Sequence, residues 1–213
     1  MQQDFWSARW SEGRIGFHRS EPTESLVELA GRVLPAPPAR ILVPMCGKTT
    51  DMLWLAEQGY EVVGVEFVRQ ACEDFFSDNG LSFELTREGD FEVFRCAEAP
   101  IELRCGDAFA LEPELLSQVD GVHDRAGLVA LDPATRDAYV ATMAAGLRPG
   151  TPYLLIALER TIDPEKGPPF SLPEATLRSL LEPTFTLEQL RDPARAAPDD
   201  RGMVEGVYLL RRT

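Results

Sequence analysis

The chain has 213 residues, 44% of them hydrophobic, and a formal net charge of −14. That length suits one well-packed α/β domain and is short for two. The acidic balance, with no basic stripe, argues against a nucleic-acid partner, and no apolar run approaches the roughly 20 residues of a membrane span. The N-terminus, MQQDFWSARW, has neither the basic start nor the apolar core of a secretory signal. Residues 1–20 carry Phe5, Trp6, Trp10, Ile15 and Phe17. Exposed aromatics are costly, so this segment is expected to fold back as a cover. Thr23 to Val33 reads as a helix in which Leu26, Val27, Leu29, Ala30 and Val33 are apolar.

A Pro-rich turn then leads into Ile41, Leu42 and Val43, a short apolar run that fits a buried parallel strand. Pro44 and Gly47 stop it. Thr50 or Asp51 is the expected cap of the next helix, whose apolar face is Met52, Leu53, Leu55 and Ala56. Gly59 suits the left-handed end of that helix. Val62, Val63 and Val65 make a second strand, with Glu66 at its carboxyl edge. Gln70 to Asn79 reads as a helix, residues 82–96 as a peripheral β-hairpin, and Ile101 to Cys105 as a strand entering Gly106-Asp107. Gly121 to His123 begins a strand that runs into Asp124-Arg125. Pro133 to Leu147 follows as a helix and Tyr153 to Leu158 as an apolar strand. Residues 163–173, DPEKGPPFSLP, form a Pro-rich loop expected to act as a lid. Glu174 to Leu181 is a helix, and Phe185 to Leu190 with Val204 to Arg211 form a closing antiparallel pair.

No repeat or linker divides the chain, so residues 1–213 are expected to be one domain. Strand–helix alternation predicts a Rossmann-like α/β fold with a doubly wound, mostly parallel sheet. The C-terminal antiparallel strand and single Gly turn favour the class I methyltransferase variant over a dehydrogenase.

The stretch from Ile41 to Glu66 reads as half of a nucleotide-type cofactor site. Ligands of open α/β sheets bind outside the carboxyl ends of the strands. A Gly turn lets the backbone approach the ligand, and a carboxylate roughly 20 positions later can accept both ribose hydroxyls. Gly47 and Glu66 stand 19 positions apart. The plainer alternative is a solvated strand-end carboxylate. Gly47-Lys48-Thr49 imitates the end of a phosphate-binding P-loop, but Leu42 occupies the place of its first Gly and Pro44 removes a donor. Nucleotide hydrolysis is therefore set aside, and Lys48 is read as a surface or helix-entry lysine. The four cysteines have no CxxC spacing and only two histidines accompany them, so no metal site is expected. Their pattern fits a reducing cytosol, and Cys46, in the cofactor loop, is read as a packing residue with an active thiol as the alternative.

Four blocks resemble the thiopurine S-methyltransferases, in the same order and at similar spacing: FWSARWSEGRIGFH at 5–18, VPMCGKTTDMLWLAEQGYEVVGVE at 43–66, HDRAGLVALDP at 123–133 and GPPFSLP at 167–173. The resemblance implies transfer of a methyl group from S-adenosyl-L-methionine to the sulfur, selenium or tellurium of a small-molecule thiol or metalloid acceptor. It implies a monomer, and a cytoplasmic one. By position in these motifs, Trp10 covers the cofactor, Met45 and Gly47 contribute loop contacts, Glu66 binds the ribose, and Asp107 and Ala108 lie beside the adenine. Arg125 sits by the methionine portion and the substrate sulfur, as the catalytic residue. Phe17 and Phe170 line the acceptor pocket. The family also carries a basic residue in its last loop, for which Arg195 and Arg201 are both candidates. Met45 stands where the family often has Leu.

A free thiol has a pKa of about 8.5 and reacts as the thiolate. Nearby positive charge lowers that value, so the expectation is that Arg125 stabilises the thiolate, rather than a dedicated base removing the proton. Two rivals remain at this level: a halide or thiocyanate methyltransferase of the same fold, and a non-catalytic cofactor-binding regulator.

Overall fold

The computed structural model describes residues 3–125, 127–193, 198–199 and 201–213. Its strands are β1 (Arg40–Pro44), β2 (Glu61–Glu66), β3 (Phe83–Glu88), β4 (Phe91–Cys96), β5 (Ile101–Cys105), β6 (Gly121–Asp124), β7 (Pro152–Arg160), β8 (Phe185–Arg191) and β9 (Met203–Arg212). The α-helices are α1 (Gln3–Ser11), α2 (Glu24–Val33), α3 (Asp51–Glu57), α4 (Arg69–Asp78), α5 (Pro113–Leu116), α6 (Gly127–Ala130), α7 (Arg136–Gly146) and α8 (Glu174–Leu181). The strands form one sheet in the order β3-β4-β5-β2-β1-β6-β7-β9-β8. The five central strands are parallel. A β3–β4 hairpin closes one edge and the β9–β8 pair the other, both antiparallel.

Side-chain alternation explains why the central strands are apolar throughout. Leu42 packs into the core on one face of the sheet, Ile41 and Val43 into the core on the other. Gly64 in β2 is required by packing: a Cβ there would lie 2.3 Å from Leu103 Cδ2 and 2.9 Å from Cys46 Sγ. The chain winds from β1 outward to β5 on one side, then crosses back to β6 on the other. That reversal opens a crevice at the carboxyl ends of β1 and its neighbours.

The structure corrects several local expectations. Neither Thr50 nor Asp51 caps α3 with its side chain; Thr49 Oγ1 accepts from the Asp51 N–H at 3.3 Å, and the Asp51 carboxylate turns inward. The stretch from Pro133 to Leu147 is broken into a 3₁₀ turn (Pro133–Thr135), capped by the Asp132 side chain, and then α7. The short α5 and α6 carry too few residues to show a period. The loop at 163–173 is pinned by the Phe170 N–H on Val129 O at 2.7 Å and the Leu172 N–H on Leu158 O at 2.9 Å.

Candidate active site

The crevice holds a cavity of about 450 Å³, walled by the β1–α3 loop, the ends of β2, β6 and β7, the aromatic N-terminal segment and the Pro-rich loop. The β1–α3 loop makes its turn with two left-handed residues, Met45 at φ 48° and Gly47 at φ 55°. For methionine that conformation is strained, and such strain is characteristic of functional loops. A Cβ on Gly47 would stand 3.2 Å from the Trp10 ring, so the glycine lets the indole lie against the turn. Trp10 is 4% exposed and packs with Val68 and Ala71 beside α4. Trp6 and Trp10 both meet the Phe17 ring edge-on, at 5.6 and 5.8 Å between centroids.

Glu66 is 6% exposed. Its Oε2 accepts from the Gly47 N–H at 2.9 Å and its Oε1 from the Val68 N–H at 2.8 Å. Burial pushes the carboxyl pKa up; the N–H groups of Val68, Gly47 and Phe67 act against that. Each oxygen keeps acceptor capacity beyond its one backbone partner. Glu66 is therefore not the solvated carboxylate of the plainer reading. Across Phe67 lies a second cavity of about 420 Å³, lined by Asp107. Asp107 Oδ1 accepts from the Phe109 N–H at 3.0 Å, while Ala108 is buried behind it and lines neither cavity.

Arg125 lines the same cavity as Glu66. One of its Nη atoms donates to Phe17 O at 3.4 Å, and its buried Nε has no partner among the described residues. Burial lowers the guanidinium pKa, with neighbouring Arg19 adding to the effect and Asp51 opposing it; an arginine remains cationic regardless. The turn that carries Arg125 is tied down by Asp124, which is buried and accepts from Tyr153 Oη at 2.6 Å, the Gly127 N–H at 2.8 Å and Tyr139 Oη at 3.0 Å. Burial raises the Asp124 pKa, and these three donors oppose that rise.

Other expected residues fall differently. Phe170 does not line the cavity; its ring folds back over Gly167, where a Cβ would meet it at 2.2 Å, and Pro168 and Pro169 face the cavity instead. Arg201 lines the cavity and pairs with Asp199 at 2.9 Å, while Arg195 lies outside the described residues. Lys48 is not a free surface lysine: its Nζ is 2.6 Å from Asp78 and 5.9 Å from the centre of the Trp10 ring. Cys46 is buried, which pushes its thiol pKa well up and keeps it protonated, as suits a packing residue.

Sequence reasoning missed Arg9, Arg160, Asp51 and His123, all of which line the cavity. Asp51 and His123 form a buried pair beneath it, 2.8 Å apart. The legible signal for this pair was a lone histidine in the short strand GVHD, two residues before Arg125.

The residues present fit S-adenosyl-L-methionine. Glu66 retains acceptors for a ribose, and Arg9 and Arg125 each hold a buried Nε without a partner among the described residues, as a carboxylate requires.

The family model described as thiopurine S-methyltransferase matches residues 1–212. A thiopurine S-methyltransferase of Pseudomonas entomophila is 45% identical over 179 residues, covering 84% of this chain and 82% of that one. One from Xanthomonas campestris pv. campestris is 39% identical over 222 residues, covering all of both. Among solved structures, Burkholderia thailandensis 1,6-didemethyltoxoflavin-N1-methyltransferase, with bound 1,6-didemethyltoxoflavin and S-adenosylhomocysteine, aligns at a TM-score of 0.67 and 19% identity. It covers 99% of this chain and 86% of that one. The glycopeptide N-methyltransferase MtfA complexed with sinefungin aligns at 0.64 and 17% identity, covering 91% and 95%. At those identities the two structures speak for the fold alone. The chain belongs to the thiopurine S-methyltransferase family: it is an S-methyltransferase that uses S-adenosyl-L-methionine.

Proposed function

We propose that this enzyme methylates the sulfur of thiopurine-like and aromatic thiols, and the selenium or tellurium of metalloid acceptors, by in-line displacement. The observation that carries this reading is that Glu66 and the under-partnered guanidinium of Arg125 line one cleft, roofed by aromatic rings. When bound, S-adenosyl-L-methionine supplies a methyl group on a sulfonium, already a good electrophile. The protein's task is alignment, which lowers the barrier by holding both reactants in register.

In this reading Glu66 and Gly47 hold the ribose, Met45 and Trp10 enclose the cofactor, and Asp107 borders the adenine side with Ala108 buried behind it. Arg125 faces the reacting sulfur. Five arginines and Lys48 line the cleft against the carboxylates of Asp51 and Glu66, although the chain as a whole is acidic. Arg19, Lys48 and Arg201 are paired with Glu205, Asp78 and Asp199, so the positive charge left to favour an anionic nucleophile is that of Arg9, Arg125 and Arg160. Phe17, with Trp6 and the prolines of the facing loop, offers apolar walls to a planar acceptor and excludes water. Arg201 is the last-loop cation nearest this role among the described residues. The aromatic walls favour an organic acceptor over a small halide. We propose further that the enzyme works as a monomer in the cytoplasm.

The test is methyl transfer from labelled S-adenosyl-L-methionine to 6-mercaptopurine, thiophenol and selenite, with Glu66→Ala beside wild type. Turnover that collapses in the variant is the expected result. Tight cofactor binding without turnover on any acceptor would sink the proposed acceptor class, and iodide outcompeting every thiol would favour a halide methyltransferase.

A further inference from the structure

The Asp51 carboxylate lies below the cleft floor, where three donors converge on it. Its Oδ1 accepts from the Thr23 N–H at 2.6 Å, and its Oδ2 from Thr23 Oγ1 at 2.9 Å and His123 Nε2 at 2.8 Å. Burial alone would raise the Asp51 pKa; the hydrogen bond and the charge of His123, with the two bonds from Thr23, outweigh it and hold the group at about 2. An ionised carboxylate only accepts, so the hydrogen of the shared bond sits on Nε2. In a neutral imidazole so oriented, Nδ1 presents a lone pair.

That Nδ1 is buried and has no partner among the described residues. His123 is fully buried in the protein, and it is among the residues that line the same cavity as Arg125, two residues along the chain. Arg125 cannot take a proton, because a guanidinium only donates.

We propose that His123, oriented by Asp51, is the proton acceptor for weakly acidic thiols bound in this cleft, directly or through one water. This rests on the methyl-transfer reading given above and deepens it. The thiol S–H bond breaks and its proton passes to Nδ1, while Nε2–H stays on Asp51, whose charge stabilises the imidazolium. The sulfur lone pair forms the new S–CH₃ bond as the methyl–sulfonium bond breaks, its electron pair remaining on the cofactor sulfur. The imidazolium then returns its proton to water. Acidic thiones arrive already ionised and bypass the dyad.

The chain has only two histidines, and because His18 lines the same cavity, a His18→Gln variant assigns the signals of His123. In protein labelled with ¹⁵N-histidine and saturated with S-adenosylhomocysteine, the Nδ1 signal of His123 should be that of an unprotonated nitrogen, free to accept a proton as the methyl transfers. An Nδ1 already protonated in the resting wild type at the assay pH overturns the proposal without any variant. The second arm is His123→Gln, which keeps a donor for Asp51 and removes the basic nitrogen. It should cut kcat/KM for benzyl mercaptan by about 10²–10⁴-fold, at least tenfold more than for 6-mercaptopurine, with S-adenosylhomocysteine affinity retained. Equal losses on both thiols, or loss of cofactor affinity alone, overturn the proton-acceptor role. Wild type that methylates no thiol at all overturns the methyl-transfer reading itself, an outcome distinct from either.

Discussion

The two ends of the cleft are built in opposite ways. The Glu66 end comes from one unbroken stretch of chain, residues 43–66, in which loop, helix and strand follow one another. Its carboxylate is held by backbone N–H groups of that same stretch and of the next turn. The Arg125 end is gathered from distant segments: Phe17 from the N-terminal cover, Asp51 from α3, Tyr139 from α7 and Tyr153 from β7. Glu66 is pre-organised by its neighbours in sequence, whereas Arg125 is set by long-range packing and keeps unmet donors for a ligand. The first end should fail locally, through lost contacts. The second should fail whenever any of its distant supports moves.

The sharpest break of this contrast is Glu66→Ala. Two hydroxyl bonds to a charged acceptor are each worth about 1.5–3 kcal/mol, so calorimetry with S-adenosylhomocysteine should show affinity reduced by about 10²-fold or more. A fall of less than tenfold would remove Glu66 from the ribose site. Next comes Arg125→Ala, for which a loss of about 10²–10³ in kcat/KM is expected, by analogy with removing one donor to developing charge. The loss should be graded, largest for the least acidic thiols; a uniform loss across thiol pKa would assign Arg125 to cofactor positioning.

A smaller effect tests the distant support. A Cβ at Gly127 would stand 2.9 Å from both carboxylate oxygens of Asp124, which its three donors prevent from moving aside. Gly127→Ala should therefore cost about 1–3 kcal/mol in a denaturant melt and also lower kcat/KM, because the Arg125 turn must shift. Stability lost with kinetics untouched would separate that turn from the site. The smallest change should come from Arg201→Ala. Its pair with Asp199 is exposed, and such pairs are worth about 0–1 kcal/mol. A KM effect confined to acidic acceptors would add Arg201 to the cleft's working cations.

Legibility followed the same division. β1, α3 and β2 were readable because buried parallel strands are continuous apolar runs and α3 shows its period within seven residues. Glu66 was readable because its distance from Gly47 along the chain is itself the signal. The fate of Asp51 was not: its position before Met52 suggested a cap, and only the approach of α2 and β6 turned the side chain inward. Phe170 looked like a pocket residue from its motif, but its ring had Gly167 to fold against. Lys48 looked solvated until α4 brought Asp78 to it.

By itself, then, the sequence determined the order of strands and helices, the antiparallel closure and the cofactor turn, because these depend on periodicity and spacing over a few residues. Only the tertiary structure decided which side chains share the cleft, that Asp51 and His123 meet beneath it, and that Arg125 keeps an unpartnered nitrogen. Those facts depend on packing between segments as much as 108 residues apart, as Phe17 and Arg125 are, and no local pattern encodes such a distance.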